Sequence, residues 1–81
     1  KMKHLILNNS NLVLQVGDTY SVDADDINGA KIVHILDNIR YDDSFTHIET
    51  SVEIPTDFYD DGVFYKYEND VFIEYDQIVG V

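Results

Sequence analysis

The side chains best suited to metal or acid–base chemistry are three histidines, His4, His34 and His47. They are widely spaced, with no HxH or HExxH pattern among them. Zinc needs three or four convergent ligands, so these residues make a site only if folding gathers them, and the sequence by itself assigns no metal. The stretch Asp23-Ala24-Asp25-Asp26-Ile27-Asn28-Gly29 has the look of a calcium loop. An EF-hand requires oxygen ligands at positions 1, 3 and 5, glycine at 6 and glutamate at 12. Counted from Asp23, position 5 is Ile27, glycine falls at 7 and position 12 is His34. The stretch therefore reads as an acidic turn. A second cluster, Asp57, Asp60 and Asp61, surrounds Phe58 and Tyr59. Aromatic rings set among solvated carboxylates suit a protein contact better than a cation.

Catalytic patterns are missing. There is no nucleophile elbow, no glycine-rich phosphate loop and no recognisable triad. The chain has no cysteine, hence no thiolate ligand, no cysteine nucleophile and no disulfide. The expectation is a non-enzymatic protein without a cofactor.

Charge narrows the partners. Sixteen acidic residues against five basic ones give a net charge of −11. Phosphate neutralisation needs clustered Lys and Arg, whereas Lys1, Lys3, Lys31, Arg40 and Lys66 are scattered. Direct nucleic-acid binding is therefore disfavoured. With 44% hydrophobic and 12% aromatic residues the chain has too much apolar content for an acidic disordered tail. Apolar runs such as Leu5-Ile6-Leu7 are too short for a signal peptide or a membrane span. At 81 residues one domain, 1–81, is expected, with a thin stability margin that association would raise.

The elements that must position these groups read as strands. His4–Leu7 is a first strand and Asn8–Asn11 a turn. Leu12–Val16 is a second strand, punctuated by Gly17-Asp18, and Thr19–Ala24 a third. Lys31–Asp37 is dense in β-branched residues and leaves an Asn28-Gly29 turn, which favours a strand. Ile32, Ile35, Leu36 and Ile39 also fall at helical spacing behind a capping Asn28, so a short helix near residues 30–40 is the alternative. Arg40–Phe45 reads as a polar loop and Thr46–Ile54 as a strand ended by Pro55, followed by an acidic loop over Thr56–Gly62.

Val63–Tyr75 is the clearest signal, two aromatic and β-branched runs around a polar turn. A three-residue loop, Glu68-Asn69-Asp70, would set Tyr67 against Val71, Tyr65 against Ile73 and Val63 against Tyr75, one continuous apolar face. The other face would carry Phe64, Lys66, Phe72 and Glu74, with Lys66 near Glu74 and two aromatics left to be covered. Residues 77–81 read as a tail. The fold class expected is all-β, a small antiparallel sandwich or rolled sheet with a C-terminal hairpin.

Two end segments carry a resemblance. The opening Lys3-His4-Leu5-Ile6-Leu7-Asn8 with Asn11-Leu12-Val13 forms one part of it. Val52-Glu53-Ile54-Pro55-Thr56-Asp57-Phe58 followed by Phe64-Tyr65-Lys66-Tyr67-Glu68-Asn69-Asp70-Val71-Phe72 forms the other. This layout resembles small β-rich tail-fibre and baseplate-region proteins of phages that infect Gram-positive bacteria. Residues 17–50 lie outside the likeness. The resemblance implies assembly through protein contacts, in a homo-oligomer or larger virion structure, and a location in the virion or the infected host's cytoplasm. It transfers no site residues and implies no membrane.

The candidate interface residues are Phe58, Tyr59, Phe64 and Phe72. The alternative function is an acidic nucleic-acid mimic that blocks a basic groove on a host protein. It would act through Asp42, Asp43, Asp57, Asp60 and Asp61.

Overall fold

The computed structural model describes residues 2–23 and 32–75. In chain order the strands are β1 (Lys3–Leu7), β2 (Val13–Gly17), β3 (Tyr20–Asp23), β4 (Val33–Leu36), β5 (Ile39–Tyr41), β6 (Thr46–Thr50), β7 (Phe64–Glu68) and β8 (Val71–Tyr75). They form three antiparallel sheets, ordered β2-β1-β6, β3-β4-β5 and β7-β8. The all-β expectation holds. Among the described residues there is no helix, and so none long and apolar enough to cross a membrane. The helical alternative gives way to strand β4, because Val33–Leu36 pairs along its whole length with β3.

Strand β1 is central. It pairs with β2 through a loop in which the Asn8 side chain accepts hydrogen bonds from Ser10 N–H and Leu12 N–H at 2.8 and 3.0 Å. Its other edge pairs with β6 in unbroken register from Lys3–Thr50 to Leu7–Thr46. Leu14 is the extra residue of a bulge, since Ile6 faces Gln15 while Leu7 faces Val13.

Directly paired residues share a face of a sheet, so the two faces of the central sheet can be read from the register. Leu5, Leu7, Val13, Val16 and Ile48 point to one side. There they pack with Tyr67, Phe72, Phe58, Val52 and Ile54 in the main apolar cluster. His4, Ile6, Gln15, His47 and Glu49 point to the other side, toward β3–β5. Ile6 and Leu36 are completely buried between these layers.

Four sequence expectations are corrected. Ile39–Tyr41 is a strand, so the polar loop is shorter than Arg40–Phe45. A two-residue turn, Asp37-Asn38, both at positive φ, folds β5 back on β4. Strand β6 stops at Thr50, four residues before Ile54, where the Thr50 hydroxyl accepts the Val52 N–H at 2.9 Å and turns the chain out of the sheet.

The C-terminal hairpin uses a two-residue loop, Asn69-Asp70, with φ of 54° and 63°. Such a turn matches the strand twist, and Asn and Asp tolerate its left-handed conformation. The register is therefore one residue away from the expected one: Tyr67 faces Phe72, Tyr65 faces Glu74 and Lys66 faces Ile73. The fourth correction follows from this slip. Lys66 lies over the Tyr75 ring at 5.4 Å rather than beside Glu74.

Candidate functional site

Two surfaces gather chemically distinctive residues. The first lies between the central sheet and β3–β5. His4 faces Glu49 directly across β1–β6, and His47 stands two residues before Glu49 on the same face. His4 Nδ1 and His47 Nε2 share a hydrogen bond of 2.9 Å. The Tyr20 ring lies flat on His47, centroids 3.4 Å apart and planes within 3°. On the same side, the Tyr20 hydroxyl and His34 Nδ1 share a hydrogen bond of 2.8 Å. All three histidines thus converge, a grouping that needed β1 to meet a strand 43 residues later.

Electrostatics follow from that packing. Burial, then the His4 charge and more weakly that of His34, hold the His47 imidazole below its ordinary pKa, while Glu49 pulls the other way. His47 is therefore neutral near neutral pH. Burial pushes the Tyr20 phenol up, keeping its proton available. Each single ligand atom of His4, His47 and Glu49 lies within 4.8 Å of the other two.

Nearby, Asp37 organises the turn into β3. Its carboxylate accepts from Thr19 N–H at 2.9 Å, Thr19 Oγ1–H at 2.7 Å and Asp18 N–H at 3.2 Å. Those bonds, with the Thr19 hydroxyl foremost, hold its pKa below the usual carboxylate range. Gly17 makes this approach possible. A Cβ there would sit 2.7 Å from Asp37 Cγ and 3.0 Å from Leu36 Cγ.

The second surface is the outer side of the hairpin. Because of the register, Phe64, Lys66, Glu68, Val71, Ile73 and Tyr75 share one face. Val71 is 53% exposed and Ile73 44%. Among the described residues β8 pairs with β7 alone, whereas β7 is tied on its other side to the β2 entry by the Leu12–Lys66 bridge and the Tyr67 N–H to Asn11 C=O bond of 2.9 Å.

The interface residues named from sequence divide between surface and core. Phe58, Tyr59 and Phe64 line one groove between β2 and β7, together with Leu14. Tyr59 is 75% exposed. Phe72 is turned inward instead, edge-on to Tyr67 at 4.8 Å and to Tyr65 at 6.2 Å, so its expected place on the outer face is corrected. The apolar outer positions that the sequence reading missed are Leu14, Val71, Ile73 and Tyr75. The signal that finds three of them is the Asn69-Asp70 dipeptide, once it is given the whole loop.

The acidic candidates differ in role. Asp42 accepts from the Ser44 N–H at 2.9 Å and from its hydroxyl, closing its own turn. Asp57 accepts the Tyr65 hydroxyl at 2.6 Å, which with burial pushes that phenol up to about 12. Asp43, Asp60 and Asp61 are exposed. Of the calcium-like stretch only Asp23 is among the described residues, and it pairs with Arg40 at 3.2 Å. Compared with known proteins, the chain matches no family model, no curated protein and no solved structure.

Proposed function

We propose that this chain is a non-enzymatic structural domain of a phage particle, a tail, baseplate or fibre component, that works by pairing with further copies of itself and with neighbouring proteins. One observation carries the reading: strand β8 has no partner on its outer edge among the described residues, and its own outward side chains, Val71, Ile73 and Tyr75, are exposed aliphatic and aromatic groups. Sheet proteins ordinarily blunt such an edge with lysine, proline or a bulge. β8 has none of these, and its single charge, Glu74, lies on the face opposite Ile73.

A second copy fits this edge. Antiparallel pairing of two β8 strands centred on Ile73 makes a four-stranded sheet and sets each Val71 against the other copy's Tyr75. Burying what remains exposed of Ile73 and Val71 contributes about 1 kcal/mol for each side chain. Two chains of charge −11 repel one another, so added salt strengthens this association.

Light scattering on the eluting protein tests the reading. A dimer or larger species that grows with salt, and that Ile73→Lys converts to monomer, is the expected result. A monomer at every salt and protein concentration rejects it.

The charge of −11 also favours a second reading, an acidic inhibitor seated in a basic groove of a host protein through the exposed Asp43, Asp60 and Asp61. Its salt response has the opposite sign: binding to a basic partner weakens as salt rises.

A further inference from the structure

The polar side of the central sheet carries an inference independent of the hairpin edge, resting on different residues. We propose that His4 Nδ1, His47 Nε2 and a carboxylate oxygen of Glu49 form a binding site for a zinc-class divalent cation, with a fourth coordination position open to water.

The geometry suits the ion. Two nitrogens bound tetrahedrally at about 2.0–2.1 Å from zinc stand about 3.3 Å apart. His4 Nδ1 and His47 Nε2 are 2.9 Å apart, so a small rotation of the His4 ring admits the metal. A carboxylate oxygen of Glu49 and one ring nitrogen of each histidine lie within 4.8 Å of one another. The carboxylate is also the right third donor. Imidazole nitrogen with one carboxylate oxygen selects zinc and its late first-row neighbours, while calcium and magnesium prefer all-oxygen shells.

The surroundings are built to hold the ligands in place. The register fixes all three Cα positions, because His4 and Glu49 are directly opposite and His47, two residues before Glu49 on β6, is diagonal to His4. Tyr20 lies flat on the His47 ring and fixes its plane, and Tyr20 is in turn tethered through its hydroxyl to His34. Packing alone would need only ring faces in contact. Here the ring nitrogens meet, beside a carboxylate. Glu49 is exposed, which leaves the cation a water-filled side.

Calorimetric titration of the whole chain with zinc, and separately with magnesium, tests the site. One zinc per chain and no magnesium heat is expected. Glu49→Gln and His47→Ala each weaken zinc by at least about tenfold, the lower end of what losing even an outer partner of a metal site costs. Asp60→Asn with Asp61→Asn leaves zinc affinity unchanged. Long-range nitrogen NMR of the unmutated protein removes any dependence on whether a variant folds: zinc must shift the His4 Nδ1 and His47 Nε2 resonances. Zinc that shifts neither nitrogen, or that is lost with the Asp60 and Asp61 changes and kept by His47→Ala, overturns the proposal.

Discussion

The two faces of the central sheet are held by different physics. Toward the hairpin, Leu5, Leu7, Val13 and Val16 meet Tyr67 and its neighbours in a dry cluster beside which a buried polar residue, Thr50, is satisfied by the Tyr67 hydroxyl at 2.5 Å and the Val52 N–H. Toward β3–β5, only Ile6 and Leu36 among the described residues are fully buried. The rest of that contact consists of rings and hydrogen bonds, with Gln15 donating to Leu36 C=O at 3.3 Å and accepting from the Tyr41 hydroxyl. Apolar burial scales with area and tolerates little loss of volume. Polar contacts contribute less per group and depend on protonation. One sheet thus presents a face for stability and a face that responds to its solution.

The largest effect expected from this contrast is on the dry side. Leu5→Ala removes a completely buried side chain and should cost about 2–5 kcal/mol in urea unfolding. A loss no greater than that for Gln15→Ala would abolish the distinction between the faces. A smaller effect belongs to Tyr67→Phe, which takes away the buried partner of Thr50 and should cost about 1–2 kcal/mol.

The pH responses carry the smallest energies and separate the faces by sign. His47, facing His4, His34 and Glu49 and stacked on Tyr20, has a lowered pKa, so its contribution is complete above 6.5 and is lost as pH falls below it. Asp37 likewise contributes fully above 3.8 and loses its share below that value. On the hairpin side the Tyr65 phenol is raised, so its contribution is complete below pH 10 and is lost as pH rises toward about 12. Amide exchange at Asp18 and Thr19 should therefore accelerate in acid before exchange in β7 does. Absorbance titration should show one phenol ionising near 12 and returning toward 10 in Asp57→Asn. Equal acid sensitivity of both regions would contradict the comparison.

Much of the architecture was legible in the residues. Alternation marked β2 and β3, short apolar and aromatic runs beside polar turns marked β1 and β7–β8, and the density of Val33, Ile35 and Leu36 chose strand over helix. The hairpin register was misjudged because the sorting of oily and wet positions was set above turn chemistry. Asn69 and Asp70 both accept left-handed backbone, and that pair decided the loop. The rule then places Val71 and Ile73 outside, an arrangement that looks wrong for an isolated domain and suits a contact surface. The same turn chemistry at Asp37-Asn38 would have revealed β5, which Arg40 and Tyr41 disguised as loop. The convergence of His4, His47 and Glu49 was out of reach. It depends on which strand borders β1, a property of non-local pairing that periodicity does not encode.

Strand β1 also has a kinetic consequence. Its first neighbour, β2, follows after a short loop, but its second, β6, arrives only at Thr46–Thr50. Each local hairpin can close early, while joining β6 to β1 must spend the entropy of a much longer closure. We expect that closure to be the slow step, so that the β1–β2 ribbon waits with one edge bare until residue 50 has been made, and a chain halted before then offers a sticky ribbon in place of a folded one.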